Sequence, residues 1–137
     1  METAGPLARK LGIKVDARVT LIGTPAGFAL GELPPGVHLR QRLSAAANND
    51  IILAFAVRRG ELERRLPRLK ASLDHAGGLW LAWPKRASGV ATDLGDGIVR
   101  ELGLAAGLVD NKVCAIDEVW SGLRFVYRLA DRPDATT

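Results

Sequence analysis

A chain of 137 residues, 47% hydrophobic and 25% charged, has the make-up of one globular domain, which excludes a disordered chain. A net charge of +4 and a pI near 9.7 favour anionic partners, with a merely basic, soluble surface as the plainer expectation. Cys114 is the only cysteine and the two histidines, His38 and His75, are scattered, so an intrachain disulfide and a cysteine zinc cluster are excluded and no metal-ligand spacing is present. Residues 1–10 lack the apolar core of a signal peptide, and no apolar run approaches a membrane span; the expected compartment is the cytoplasm, with no membrane partner.

Pro6–Leu11 reads as a short helix, with proline at its first position and Gly12 as its stop. A turn is expected at 15–17. Residues 18–23 read as the first strand, because Val19, Leu21 and Ile22 are apolar and β-branched side chains are prominent. Gly23 and Gly27 bound a loop. A short helix is expected over 28–33, broken by Pro34, Pro35 and Gly36. A short strand over 37–40 and a polar connection or loose helical turn over 44–50 follow.

Residues 51–57 form a continuous apolar run, the pattern of a parallel strand covered on both faces. A helix is expected over 61–73, with Leu62, Leu66, Leu69 and Leu73 as its buried stripe and Arg64, Arg65, Arg68 and Lys70 on the other face. Pro67 lies inside it and predicts a kink or a break. Gly77 and Gly78 are its expected stop. Residues 79–83 read as the next strand. A helix over 92–106 would bury Leu94, Ile98, Leu102 and Ala105, and Gly107 would end it. A strand over 108–117, a turn at 118–122 and a last strand over 123–129 complete residues 1–129, taken as one α/β domain; 130–137 reads as a flexible tail.

Strands alternating with helices imply a parallel sheet with right-handed crossovers. The segment 118–122 is too short for a parallel crossover, so the sheet should close with a C-terminal antiparallel hairpin. Ligands in such sheets sit at the carboxyl ends of the strands, where the loops 23–27, 58–60, 84–92 and 117–122 share one rim. In the first loop, glycines at 23 and 27 do not have the G-x-G-x-x-G spacing that brings backbone donors onto a pyrophosphate, and Pro25 removes one donor. The strand near 37–40 leads into Arg40, Gln41 and Arg42, where a cofactor's ribose would require an acid. No cofactor is therefore expected.

Lys85, Arg86, Ser88 and Gly89 place two cations, a hydroxyl and a flexible glycine ahead of a helix start, with Thr92 as the expected N-cap. That combination suits a phosphate or carboxylate; the plainer reading is a structural cap. Asp117, Glu118, Trp120 and Ser121 bring acids, an indole and a hydroxyl to the same rim. Lys85 with Asp117 or Glu118 would make an acid–base pair and Trp120 a stacking surface; a hairpin turn in which Asp117 pairs Lys85 is the plainer reading. Lys112 is five residues from Asp117, roughly 16 Å at the strand rise, and stays outside the site. Ser121 has no histidine partner, and Cys114 reads as packing. The basic face of Arg64, Arg65, Arg68 and Lys70, with Arg58 and Arg59 nearby, is the best nucleic-acid candidate, but it has no interleaved aromatic residue; a solvated face is expected and nucleic acid is not.

Two resemblances add to this. The sheet and the lead-in of Leu11, Gly12, Ile13 and Lys14, followed by Arg18, Val19, Thr20, Leu21, Ile22 and Gly23, resemble the class I methyltransferase fold in reduced form. That likeness implies S-adenosylmethionine as an alternative ligand of a degenerate site. The segments from Trp83 through Lys85, Ser88, Gly89 and Thr92 to Leu94, and from Gly107 through Asp110, Lys112, Cys114, Asp117 and Trp120 to Leu123, resemble a family of short bacterial stand-alone domains of unknown function. It implies a compact bacterial α/β domain and no activity. The function read from the sequence is thus a non-catalytic or regulatory Rossmann-like domain, binding a small anionic ligand or a protein partner at the Lys85 and Trp120 rim.

Overall fold

The computed structural model describes residues 5–43, 46 and 48–132. The chain runs α1 (Pro6–Leu11), β1 (Arg18–Ile22), β2 (His38–Arg40), β3 (Asn49–Phe55), α2 (Arg59–Ser72), β4 (Leu73–Pro84), α3 (Asp96–Ala105), β5 (Leu108–Ala115) and β6 (Trp120–Tyr127). Single 3-10 turns lie at Arg86–Ser88 and Leu129–Asp131. The strands form one sheet in the order β2-β1-β3-β4-β6-β5. The first four pair in parallel, and β6 runs antiparallel to both β4 and β5. This is the expected parallel sheet closed by a C-terminal antiparallel hairpin.

The apolar runs explain the layers. Ile52 and Ala54 of β3, with Leu79, Leu81 and Trp83 of β4, pack beneath Leu62, Leu66 and Leu69 of α2 and Val99 and Leu102 of α3. Their neighbours Ile51, Leu53, Phe55, Trp80 and Ala82 face the other way, onto Ala8 and Leu11 of α1 and Leu30 of the long β1–β2 connection. Trp80 is fully buried, and its Nε1 donates to the Leu11 carbonyl at 3.1 Å, which satisfies the indole and pins α1 to the sheet. Thr20 is buried on the α2 side; its Oγ1 donates to Asn49 Oδ1, and Asn49 Nδ2 donates to the Ser72 carbonyl at 3.0 Å.

Several local expectations are corrected. No helix forms over 28–33, because Gly27 and Gly31 adopt φ of 79° and 80° and interrupt the helical repeat; Leu30 is buried in irregular chain instead. α2 runs unbroken past Pro67. The carbonyl deprived of its bond belongs to Glu63, on the exposed face, where water can replace the missing N–H. That helix stops at Ser72, and Gly77 and Gly78 lie inside β4. Between the pairs Asn49↔Leu73 and Ile51↔Gly78 the register shifts, and a Cβ on Gly77 would come within 2.7 Å of the Asp50 carbonyl oxygen. Glycine is needed there for close passage of two backbones, not to end a helix.

α3 starts at Asp96, four residues past the expected N-cap, and buries Val99, Leu102 and Gly103. Leu94 is buried ahead of the helix, Ile98 is half-buried and Ala105 is exposed. Gly103 lets the helix settle onto the Phe125 ring, which a Cβ there would overlap. Trp120, Ser121 and Gly122 belong to β6, so the last turn is shorter and earlier than expected. β5 is an edge strand, and Val113 in it is 61% exposed, so apolar content does not mean burial there. Ser44, Ala45 and Ala47 of the connection and residues 133–137 of the tail lie outside the described residues. Among the described residues, no helix is long and apolar enough to cross a membrane.

Two measurements check this packing. An alanine at Gly103 overpacks the contact with Phe125, so Gly103→Ala should cost about 1–3 kcal/mol in urea unfolding. The Asp50 carboxylate takes hydrogen bonds from Arg18 Nε and Nη2 and from the Arg18 backbone N–H, and these hold it below its ordinary pKa. A depressed carboxylate stabilises the fold above its unfolded value, near 3.9 for aspartate, and loses that contribution as pH falls through the lower folded value. Asp50→Asn should therefore lower the melting temperature at neutral pH, and the deficit should close on acidification. A deficit independent of pH would sink the assignment.

Candidate anion-binding site at the strand-end rim

The C-terminal ends of the parallel strands carry two distinct regions. At the β4–β6 side, Pro84 pairs with Trp120 and the Lys85 N–H donates to the Val119 carbonyl at 2.7 Å. The two loops singled out in the sequence are thus stitched together by their backbones. Most of their polar side chains serve the local chain. Ser88 Oγ donates to the Lys85 carbonyl at 2.6 Å and accepts from the Val90 N–H. Gly89, at φ 77°, closes that turn. Thr92 is not an N-cap: its Oγ1 donates to the Val57 carbonyl at 2.6 Å and accepts from the Leu94 N–H. Gly95 takes the N-cap position of α3. Asp93 instead accepts the Arg59 N–H at 2.7 Å, capping the first turn of α2 from a distant loop.

Asp117 Oδ1 accepts the Val119 and Trp120 N–H groups, both at 2.8 Å. It is not ion-paired with Lys85, and Glu118 is exposed in the same turn. Trp120 meets the Phe55 ring edge-on with centroids 5.1 Å apart, and Phe55 meets Phe28 at 4.9 Å. This aromatic row fills the rim beneath the loops. Ser121 is half-buried in β6 opposite Trp83 and Ala115. Arg86 lines a hollow of about 430 Å³ with Pro84, Val90, Thr92 and Asp96; Lys85 and Asp117 do not line it. Cys114 is half-buried, and burial pushes its thiol pKa up, the wrong direction for a nucleophile.

The second region lies where the strand order reverses. β1 continues outward to β2 and β3 turns inward to β4, so the switch point is the β1–β3 crevice, the ordinary ligand position of such sheets. Here Arg65 occupies the crevice. Its Nη1 donates to the Phe55 carbonyl at 3.2 Å, and its Nη2 pairs with Glu61 at 3.1 Å. Gly23, at φ 67°, passes beneath it: a Cβ would come within 2.6 Å of the Phe55 oxygen and 2.9 Å of Arg65 Nη1. Beside this plug runs a groove of about 610 Å³ lined by Ile22, Arg42, Leu43, Glu61, Arg64, Arg65 and Arg68.

Arg42, Arg64 and Arg68 are exposed and make no ion pair among the described residues. Four guanidiniums against one carboxylate make the groove cationic, with donor geometry suited to phosphate or carboxylate. The α2 half of this set was visible in the sequence as a basic face. Ile22 and Arg42, in the remaining lining, come from two other segments of chain that no helical spacing could connect to it. Among the described residues, no group of three or more His, Cys, Asp or Glu side chains could hold a metal.

No family model matches the chain, and no curated protein does. Solved structures do resemble it. An S-adenosylmethionine-dependent methyltransferase from Aquifex aeolicus superposes with a TM-score of 0.63 at 15% identity, covering 87% of this chain and 86% of that one. A 1,6-didemethyltoxoflavin-N1-methyltransferase from Burkholderia thailandensis gives 0.60 at 15% identity over 87% and 73%. A TehB-like S-adenosylmethionine-dependent methyltransferase from Corynebacterium glutamicum gives 0.58 at 12% identity over 89% and 87%. The fold is methyltransferase-like.

The residues at the switch point do not fit the methyl donor that such a fold implies. S-adenosylmethionine carries a positive sulfonium and a ribose diol, which favour acids. The end of β2 offers Arg40, Gln41 and Arg42, and the acid at the crevice, Glu61, is already paired with Arg65. The structural work assigned to the rim loop is testable: Asp93→Ala should cost about 1 kcal/mol of stability by removing the cap on α2. A neutral result in chemical unfolding would mean the cap contributes nothing.

Proposed function

We propose that this chain is a binding domain on a methyltransferase-like fold, taking a phosphate-bearing anion in the groove between α2 and the end of β1. One observation carries the reading: Arg42, Arg64 and Arg68, all unpaired among the described residues, converge on a groove at the sheet's switch point. The basic balance of the chain supports it. A methyl-transfer role is disfavoured by the Arg65 plug and by the charge of the crevice. An acid–base role for Lys85 with Asp117 or Glu118 is disfavoured by the two N–H groups held on Asp117 and by a hollow that neither Lys85 nor Asp117 lines. The hollow beside Arg86 and the first turn of α3 is the second place for an anion, because Arg86 there has no ion pair among the described residues.

Calorimetric titration with pyrophosphate and with S-adenosylhomocysteine separates these readings. Pyrophosphate should bind, and at a hundred times its Kd it should add about 2.7 kcal/mol of stability. Arg64→Ala/Arg68→Ala should weaken it at least tenfold, and S-adenosylhomocysteine should give no heat. Binding of S-adenosylhomocysteine with no response to pyrophosphate would overturn the proposal in favour of a degenerate methyl-donor site. Pyrophosphate binding lost in Arg86→Ala and retained in the double variant would move the site to the second hollow.

A further inference from the structure

Beyond the residues that line the cationic groove, β2 carries further exposed polar side chains. In the parallel β1–β2 pair, Arg18 is level with His38 and Thr20 with Arg40. Side chains at one level of a parallel pair point to the same face, and those at alternate positions along a strand share it. Thr20 faces α2, through its bond to Asn49, which in turn holds the Ser72 carbonyl; Ile22 packs against the α2–α3 core. His38 and Arg40 therefore lie on the α2 side of the sheet, ahead of Arg42 in the chain. All three are exposed, and no described helix covers β2 on that side. Arg40 and Arg42 make no ion pair among the described residues. β2 ends at Arg40, and Arg42 follows in the bend beyond it. Across the trough, Arg64 and Arg68 are one turn apart on α2, about 6 Å.

We propose that this trough is a binding track for the phosphate backbone of a single-stranded nucleic acid; the inference rests on the anion-binding reading of the groove and names its ligand class. Arg42 lines the groove with Arg64, Arg65 and Arg68 of α2, and Arg40 lies beyond it on the same sheet face, so the cations are spread along an open channel instead of surrounding one point as a compact phosphate pocket requires. His38 and Arg40, the two donors of β2 on this face, stand about 6.6 Å apart, set by the two-residue repeat of a strand. That is on the scale of a nucleotide step and much longer than the separation of neighbouring phosphates in inorganic polyphosphate, which share a bridging oxygen. No aromatic side chain lines the groove, so the base stacking that single-strand binders commonly add is missing; contacts fall on phosphate alone, and the binding should be indifferent to base sequence. One-sided access between a helix and a sheet edge suits one strand better than two.

The test is fluorescence anisotropy with labelled oligodeoxythymidylates of about 4 to 16 nucleotides, the range of site sizes for single-strand binders. Affinity should rise with length and exceed that for pyrophosphate at least tenfold. The slope of log K against log salt should be about −0.7 per phosphate engaged, and Arg64→Ala/Arg68→Ala should reduce it by about 1.4. Both arginines are exposed and unpaired among the described residues, and an unchanged melting temperature confirms that the variant folds. Oligonucleotides binding no better than pyrophosphate would overturn the track and leave the compact anion site standing; no binding of either would remove both. Equal affinity for duplex, tighter binding of inorganic polyphosphate of equal charge, or an unaltered salt slope in the double variant would each refute the proposal.

Discussion

Burial of β3 and β4 on both faces is the constraint on which the rest of this structure depends. Ile51 to Phe55 and Leu79 to Trp83 are almost wholly withdrawn from water, and a strand with no solvent face needs a layer on each side. On one side α2 and α3 provide it. On the other, α1 and the irregular β1–β2 connection do the same work with far less regular structure, helped by the Trp80 bond to the Leu11 carbonyl. The covering layers are matched to β3 and β4, not to the sheet as a whole. On the α2 side the described cover stops at α2, and β2 is left open beyond it.

That uneven cover decides where polar chemistry is possible. At the β4–β6 side of the rim, four of the hydroxyls and carboxylates are spent on the chain itself. Ser88 and Asp117 shape their own turns, Thr92 ties the rim loop to Val57, and Asp93 caps α2. A side chain already committed to backbone groups has little left for a ligand. At the β1–β3 side the balance is reversed. Arg65 is anchored to the Phe55 carbonyl and to Glu61, whereas its neighbours Arg42, Arg64 and Arg68 are exposed and make no ion pair among the described residues. The likeness to methyltransferases is a likeness of backbone. The charge at the switch point is opposite in sign to what a sulfonium cofactor needs.

Much of this architecture was legible in the residues. The run at 51–57 announced a strand buried on both faces, and the short segment before the last strand announced an antiparallel closure. Failures clustered where a residue's local preference competes with a distant contact. Gly77 looked like a helix stop, but it is glycine because the Asn49 and Asp50 backbone passes too close for a Cβ. Thr92 looked like an N-cap, but its hydroxyl is claimed by the Val57 carbonyl, 35 residues away. Pro67 looked like a break, but Leu62, Leu66 and Leu69 are all buried against the sheet and hold the helix across it.

The same division applies to the site. Residue types and their spacing alone set the chemistry available: an excess of arginine, no metal-ligand pattern, no acid after the second strand and no phosphate-loop glycine spacing. They also set one wall of the groove, because helical spacing places Arg64, Arg65 and Arg68 on neighbouring faces of a single turn and the next. Folding supplied the rest. It brought Arg42 and Ile22 into one groove with that wall and put His38 and Arg40 on the same face of the sheet. Periodicity reports which residues share a face of one element. Which two faces meet across a groove depends on strand order and crossover direction, and these are set by the burial of the whole sheet.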